Sequence, residues 1–356
     1  MSRQEKVVSY DVLRVITTLL VIVSHGHYHA LITPYGGIDY DALIVGGHGA
    51  WKVLEIISGY INLFTMPTFM ALGGALFLRS MRKGRYPTLK ALAVDKAKRL
   101  LIPFLVVTLL YSFPLKLATG YFRQSGSVLK DLLLGQILVQ GNTHLWYLPA
   151  MFVDFLICYA LERYVKLPRL LKLALLAVVS VVVWADKSAV LLVAYPLRFA
   201  VWFYAGYCFE EVREKLRGGF GKAIFGALVT VLIYVVMRWG LPPSRLALLA
   251  DLVLRRLLLP AVAALTLYFL SCGLADLGMA RTRIYGLLSR NSFGMYLYSD
   301  PMNYVVLAVG SVLGGTFLFG TTTGVFLLFA LRVGVTLTVS ILVSELLRHF
   351  KVKYII

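Results

Sequence analysis

The chain has 356 residues, 59% of them hydrophobic, and a formal net charge of +19 at pH 7. Its mean hydropathy is +0.79, and soluble domains are only about 45–50% apolar, so the composition excludes a soluble globular protein. It indicates an all-α polytopic membrane protein, because a backbone in lipid must satisfy its own hydrogen bonds. Lysine and arginine concentrate in the cytoplasmic loops of such proteins, so the positive charge does not predict nucleic-acid binding.

Ten apolar segments are long enough to cross a bilayer, which takes roughly 20 helical residues. The predicted spans are residues 9–32, 50–78, 100–120, 143–162, 171–186, 190–211, 222–238, 257–275, 286–311 and 321–346. We expect Pro67 to kink the second span, because proline removes a backbone donor. No stretch remains for a soluble domain, so residues 1–356 are predicted to form one integral-membrane domain.

The charge of the connecting loops predicts the orientation. Basic residues cluster near 79–99, 163–172, 213–222 and 281–283 and in the last residues, 348–353. With Arg3 and Lys6 inside, every cluster is cytoplasmic, so both termini are predicted to be cytoplasmic. Four further arginines fall on the outer side, where they mark an interfacial segment, a site for an anionic acceptor or lipid, or simple snorkelling: Arg238, Arg245, Arg255 and Arg256.

The three cysteines lie in or beside apolar segments at unrelated spacings, at Cys158, Cys208 and Cys272. This pattern predicts packing residues rather than a disulfide framework or a metal site.

The first span carries an unusual polar stripe. Arg14 and His25 are eleven residues apart, and at about 100° per residue both project from one helix face. Asp11, Thr18 and His29 share that face, and the rise from Arg14 to His25 is about 16 Å. Ionisable groups at membrane depth usually line a wet cavity or a protein interior. The alternatives are an arginine that snorkels and a histidine that only bonds a neighbouring helix.

Asp11-x-x-Arg14 followed by ten residues and His25 resembles the membrane-bound acyltransferase 3 family. The resemblance implies a bacterial cytoplasmic (inner) membrane enzyme that transfers an acyl group, commonly acetyl from acetyl-CoA, to a hydroxyl of a glycan at the far side. It further implies that Arg14 and His25 are catalytic, and Asp11, which is expected to pair with Arg14, is the third candidate for the catalytic site.

A basic pair opens the third span. Lys96 and Arg99 are one turn apart on one helix face, and such a pair suits the phosphates of a coenzyme. The family has Arg-x-x-Arg here, followed by an apolar-proline sequence that Pro103 and Phe104 match, and the resemblance implies an acyl-CoA site. Arg82 is a further candidate for this site. Ordinary positive-inside anchors are the alternative interpretation.

Later motifs supply candidates for an acceptor or oxyanion site. His144-Leu-Trp146-Tyr-Leu resembles a family sequence. Arg198 is an intramembrane cation for which Asp154 and Asp300 are candidate partners. Pro301 leaves carbonyl groups near Leu297 without donors. Relatives carry a histidine where this chain has Ser299-Asp300. This difference argues against a second functional histidine on this helix and strengthens His25 as the candidate. The candidates are His144, Trp146, Arg198, Ser292, Tyr296, Asp300 and Asn303.

The resemblance implies a transmembrane O-acyltransferase that moves an acetyl or other short acyl group from acyl-CoA, by default acetyl-CoA, to a cell-surface glycan or exopolysaccharide, and a neutral imidazole suits His25 as its general base. Membrane lipid is the other expected partner, and a homo-oligomer is left open. A proton-coupled transporter or flippase also accommodates buried Arg, Asp and His, although the sequence contains no inverted repeat. An inactive relative that acts as a scaffold is a third interpretation.

Overall fold

The computed structural model describes residues 7–123, 126–141, 144–186, 190–240, 244–352 and 355. Within these residues, eleven helices of fifteen residues or more build the protein: α1 Val8–His25, α2 His48–Asn62, α3 Thr65–Arg82, α4 Leu89–Ala118, α5 His144–Tyr164, α6 Arg169–Ala185, α7 Leu191–Val212, α8 Phe220–Gly240, α9 Leu246–Asp276, α10 Arg283–Leu313 and α11 Thr322–His349. One antiparallel hairpin, β1 Ala30–Thr33 and β2 Gly36–Asp39, follows α1.

In the part of the chain that the structure describes, eight helical segments are long and apolar enough to cross a membrane, with α2 and α3 counted together. The two remaining predicted spans coincide with α6, of 17 residues, and α10, of 31 residues. The prediction of an all-α multi-pass membrane protein is therefore confirmed. The three cysteines are free, as expected of packing residues, and Cys158 and Cys272 are buried.

The first helix is shorter than the predicted span 9–32, because α1 ends at His25. Gly26, which disfavours a helix interior, caps it, and the Gly26 backbone N–H donates to Val23 O at 3.1 Å. The next free carbonyl, that of Ser24, lies 2.5 Å from Nδ1 of His27. His25 is thus the last helical residue, and His29 lies beyond the helix rather than on its polar face.

The second predicted span is two helices rather than one kinked helix. The break lies at Leu63 and Phe64, and Pro67 lies in the first turn of α3. A proline is tolerated there, since the N–H groups of a first turn have no intrahelical acceptor. The expectation that Pro67 kinks a continuous helix is wrong for this reason.

Helices α3 and α7 pack at the closest backbone distance that glycine allows. A Cβ atom on Gly74 would lie 1.8 Å from the carbonyl oxygen of Phe203, and one on Gly206 would lie 1.8 Å from that of Ala71. Small residues let membrane helices approach in this way. The aromatic core, which includes Phe77 and Phe203, packs around this contact.

The basic loops meet at one end of the bundle, which we call the basic end. Ion pairs join them across the helices: Arg82 with Glu211, Arg169 with Glu162 and Glu211, Arg217 with Asp276, and Arg290 with Glu345. The β1–β2 hairpin lies at the opposite end of α1, the hairpin end. The predicted topology places all basic loops on one side of the membrane, and their meeting at one end of the bundle agrees with it. The cytoplasmic location of that end stays a prediction. Arg3, Lys6 and Lys353 lie outside the described residues.

The α3–α7 contact generates a stability prediction. Gly74→Ala forces a methyl group against the Phe203 carbonyl, and we expect it to destabilise the protein by about 1–3 kcal/mol, as overpacking does. Thermal unfolding of the detergent-purified protein measures the change. Gly334→Ala in α11 is the control, because a Cβ there has no atom within 4 Å. Equal melting temperatures for the two variants would contradict the close approach.

Candidate functional site

Pro301 inside α10 organises a buried polar region of the protein. A proline at this position has no N–H to donate to the carbonyl four residues earlier, that of Leu297. His144, at the start of α5, fills the gap, since its Nε2 lies 2.9 Å from Leu297 O. Tyr296 donates its hydroxyl to the backbone carbonyl of His144 at 2.6 Å. As expected, the Leu297 carbonyl has no donor within its own helix. Its hydrogen bond with Nε2 fixes the ring of His144 against α10.

Asp300 lies between two histidines from different helices. Its Oδ1 is 3.5 Å from Nδ1 of His25, and its Oδ2 is 3.5 Å from Nδ1 of His144. The side chains of Asp300 and His144 are 4% and 3% exposed, whereas that of His25 is 29% exposed. His25 is therefore the accessible member of this group. The earlier suggestion that Asp300 pairs with Arg198 is wrong, because its partners are the histidines.

The hydrogen-bond geometry restricts where protons can reside. A carbonyl only accepts, so His144 must carry its proton on Nε2, and its Nδ1 then faces a carboxylate oxygen. Two lone pairs would repel there, so a proton on Nδ1 or on Asp300 stabilises the contact. For His25, a proton on Nδ1 faces Asp300 and leaves Nε2 as the basic nitrogen. This is the tautomer that a neighbouring carboxylate selects in hydrolytic triads.

Arg332 of α11 holds the end of α1 in place. Its fully buried guanidinium donates to the backbone carbonyls of Tyr28 at 2.5 Å and His25 at 3.1 Å, and to Oδ1 of Asn303 at 3.1 Å. The α1 terminus would otherwise leave these carbonyls without donors. The sequence reasoning missed Arg332, although an arginine near the middle of the apolar 321–346 segment was a visible signal.

Two more side chains complete what we call the polar centre: His25, His144, Asp300, Arg332, Lys116 and Tyr28. Lys116 is fully buried, donates to Gln136 at 2.9 Å and lies 4.7 Å from the ring centroid of Tyr121. Tyr28 donates to Asp300 Oδ1 at 3.3 Å. Burial, followed by the charge of Asp300, raises the pKa of the Tyr28 hydroxyl well above its usual value, so this donor stays protonated. Sequence reasoning named neither residue.

A cavity of about 350 Å³ runs into the bundle from the basic end, and we call it the inner cavity. Its lining includes Arg14, Thr18, Lys96, Arg99, Ser292 and Tyr296. A wider basic opening of about 550 Å³ shares Arg14, Lys96 and Arg99 with it. Three of the predicted charged residues thus surround one space. Thr18 lies two helical turns before His25, and Tyr296 lies one turn before Asp300.

The charged residues of this cavity are held by local partners. Arg14 pairs with Asp11 at 3.3 Å, as expected, and contacts the carbonyl of Ser289 at 3.3 Å. Nζ of Lys96 lies 3.9 Å from the ring centroid of Phe155, and Arg99 donates to Asp95 at 3.1 Å.

Three candidates lie elsewhere. Arg82 pairs with Glu211 at 3.4 Å at the surface of the basic end. Arg198 donates to the carbonyls of Val183 and Asp186 at 3.2 Å, at the end of α6, so the predicted carboxylate partners are wrong. Trp146 stacks on Tyr195, with ring centroids 4.2 Å apart. Lone carbonyls at a helix end attract a cation as a carboxylate would, and sequence could not distinguish the two.

A family model for the acyltransferase domain of the acyltransferase 3 family matches residues 7–345 of this chain. The chain belongs to this family. No curated protein and no solved structure matched it in the corresponding comparisons. The match makes the chain a membrane acyltransferase by family and favours an enzyme over the carrier.

In this acyltransferase two of the four arginines predicted to lie on the outer side have ordinary partners. Arg255 pairs with Asp251 at 2.9 Å, and the guanidinium of Arg256 lies 3.5 Å from the ring centroid of Trp184. Arg238 is exposed on α8, and the side chain of Arg245 lies outside the described residues. These contacts favour anchoring at the interface over a dedicated anion site.

The position of Arg332 generates a prediction. Arg332→Met leaves three buried acceptors without their donor, and we expect a loss of at least about 3 kcal/mol of stability. The segment after His25 should also exchange its amide hydrogens faster, because its carbonyls lose their anchor. Thermal unfolding and hydrogen exchange of residues 25–40 measure both effects. Arg163→Met, which removes an exposed arginine, is the control. An unchanged rate of hydrogen exchange in Arg332→Met would contradict the anchoring of this segment by Arg332.

Proposed function

We propose that this protein is an O-acyltransferase of the bacterial cytoplasmic membrane that moves an acetyl or other short acyl group from cytoplasmic acyl-CoA to a hydroxyl of a cell-surface glycan. The observation that carries the proposal is the contact of His25 with Asp300, 3.5 Å apart, at the far side of the bundle from a basic cavity. Family membership supports the reaction type. The geometry supports the roles of individual residues.

The basic opening suits the donor. Its cations, Arg14, Lys96 and Arg99, can neutralise coenzyme phosphates, with arginine able to bind two oxygens at once. The pantetheine arm then follows the inner cavity, whose walls are mostly apolar, towards Tyr296. The thioester reaches His25 over the remaining two turns between Thr18 and the end of α1. Acetyl is the default group because it is the commonest in the family.

His25 acts as the general base in this proposal. Nε2 of His25 takes the proton of the acceptor hydroxyl while the hydroxyl oxygen attacks the thioester carbonyl carbon. The C–S bond then breaks, and the departing thiolate takes the proton back from the imidazolium to give free CoA and an ester. Asp300 holds His25 in the required tautomer and stabilises the imidazolium.

Asn303 is the best-placed donor for the oxyanion. Arg332 Nε donates to its Oδ1, which orients the amide and leaves Nδ2 as a buried donor with no hydrogen-bond partner among the described residues. Asn303 Oδ1 and the backbone carbonyl of His25 accept hydrogen bonds from the same guanidinium, so the amide lies close to the end of α1. Tyr296 is less suitable, since its hydroxyl is already donated to His144. A preorganised donor of this kind typically contributes about 10²–10³ in rate.

The histidine–aspartate pair is tested by removing one charge. Asp300→Asn keeps the shape of the side chain but loses the carboxylate that orients His25, and we expect acyl transfer to fall by roughly 10²–10⁴-fold. His25→Ala should abolish transfer. Release of CoA from acetyl-CoA by the purified protein, supplied with a glycan acceptor, is the measurement.

Matched controls separate chemistry from folding. Asp154→Asn changes an equally buried aspartate, 1% exposed, that lies on α5 outside the polar centre. His349→Ala removes a histidine at the last residue of α11. Both controls should keep wild-type turnover. Full activity in His25→Ala would overturn the proposed base.

The donor site is tested by charge removal in one short segment. Lys96→Met with Arg99→Met removes two cations from the basic opening, and we expect the affinity for acetyl-CoA to fall at least about tenfold, or 1.4 kcal/mol. Calorimetric titration measures it. Lys98→Met is the control, because Lys98 lies in the same segment but lines neither the inner cavity nor the basic opening. A double variant that binds as tightly as the control would remove these residues from the donor site.

A further inference from the structure

A cleft of about 440 Å³ opens at the hairpin end, beside the segment that follows α1. We call it the histidine cleft, because His27, His29 and His48 line it together with Asp41, Trp51 and Glu55. Its rim is exposed at Asp41, His48 and Glu55, whereas Trp51 at its base is buried. None of these residues has a part in the mechanism above.

The cleft adjoins the polar centre through a single side chain. Tyr28 lines the cleft, and its hydroxyl donates to Asp300 Oδ1 at 3.3 Å. Arg332 fixes the backbone of the same residue through its carbonyl. A molecule in the histidine cleft therefore lies one side chain away from the carboxylate that contacts His25, and it approaches from the end opposite to the basic opening.

The lining is rich in directional hydrogen-bonding groups. His29 Nδ1 lies 2.8 Å from Asp41 Oδ1, and its ring packs against Trp51 with centroids 4.7 Å apart. Burial lowers the pKa of His27 to about 4, so its imidazole is neutral at physiological pH. Because Nδ1 of His27 faces the carbonyl of Ser24 at 2.5 Å, its Nε2 is left as an acceptor.

The charges of the lining disfavour an anionic ligand. It contains two carboxylates, Asp41 and Glu55, and one ammonium group, Lys52, which is already paired with Glu55 at 2.8 Å. Arg238 lies nearby on α8, outside the lining. The described residues include no group of three or more His, Cys, Asp or Glu side chains placed to hold a metal ion. The carboxylates and the neutral imidazole of His27 instead match the hydroxyl groups of an uncharged ligand.

We infer that the histidine cleft is the acceptor site and that it takes a neutral, polyhydroxylated acceptor, a sugar without carboxylate or phosphate groups. Asp41 and Glu55 accept hydrogen bonds from sugar hydroxyls, and the edge of the His29–Trp51 pair contacts the apolar face of the ring. The inference rests on the proposed acyl transfer, and it narrows the glycan class to uncharged residues. The hydroxyl to be acylated points past Tyr28 towards His25.

Direct binding tests this inference without any turnover. Saturation-transfer difference NMR on the full chain in nanodiscs uses maltotriose and diacetylchitobiose as neutral probes and trigalacturonate as the acidic one. We expect signals from a neutral probe, and signals at least fivefold weaker from trigalacturonate at the same concentration. Asp41→Asn with Glu55→Gln should reduce the neutral signals at least fivefold. Both positions are exposed, so this variant should fold.

The controls separate this proposal from the proposed function. Glu214→Gln removes an exposed carboxylate at the basic end and should bind the neutral sugars as the wild type does. Absence of neutral-sugar signals in the wild type, unchanged signals in the double variant, or a preference for trigalacturonate would overturn the acceptor assignment. Sugar binding with the expected losses, but without transfer from acetyl-CoA, would leave the cleft in place and overturn the acyltransferase mechanism.

Discussion

The missing backbone N–H of Pro301 is the constraint on which the polar centre depends. It leaves the Leu297 carbonyl without a helical donor, and His144 supplies the hydrogen bond at 2.9 Å. That bond fixes the tautomer of His144 and turns its Nδ1 to Asp300, one residue before the proline. Asp300 is then shared between α5 and the end of α1. One backbone defect in α10 thereby brings three helices together around a carboxylate.

The end of α1 is the second requirement, and it explains why His25 is accessible while its neighbours are buried. A helix that continued through His29 would place His25 inside a regular turn. Because Gly26 and His27 end the helix, the His25 carbonyl is free to accept from Arg332. Asp300 contacts the imidazole of His25, and 29% of this side chain stays exposed. The contacts of His25 with Arg332 and Asp300 therefore position the ring without enclosing it.

The sequence predicted what local periodicity can encode. The shared helix face of Asp11 and Arg14, the basic pair Lys96 and Arg99, and the unsatisfied carbonyl before Pro301 all follow from spacing within one helix, and all recur in the structure. The pairing of Asp300 with histidines of α1 and α5, and the reach of Arg332 to Tyr28, depend on how distant helices pack. Spacing carries no information on such contacts, which is why Arg198 was assigned carboxylate partners when helix-end carbonyls satisfy it.

The composition of the polar centre is costly for a membrane protein and therefore informative. Lys116 and Arg332 are fully buried, and Asp300 is the carboxylate between the histidines. Desolvating such groups costs several kcal/mol each, and apolar residues would often pack with equal or better stability. Natural sequences break local rules of this kind mainly at functional sites. Both cations interact electrostatically with the one carboxylate of Asp300. The resulting excess of positive charge favours a transient negative charge near His25. The oxyanion of acyl transfer is such a charge, and the buried cations would stabilise it more than the neutral ground state.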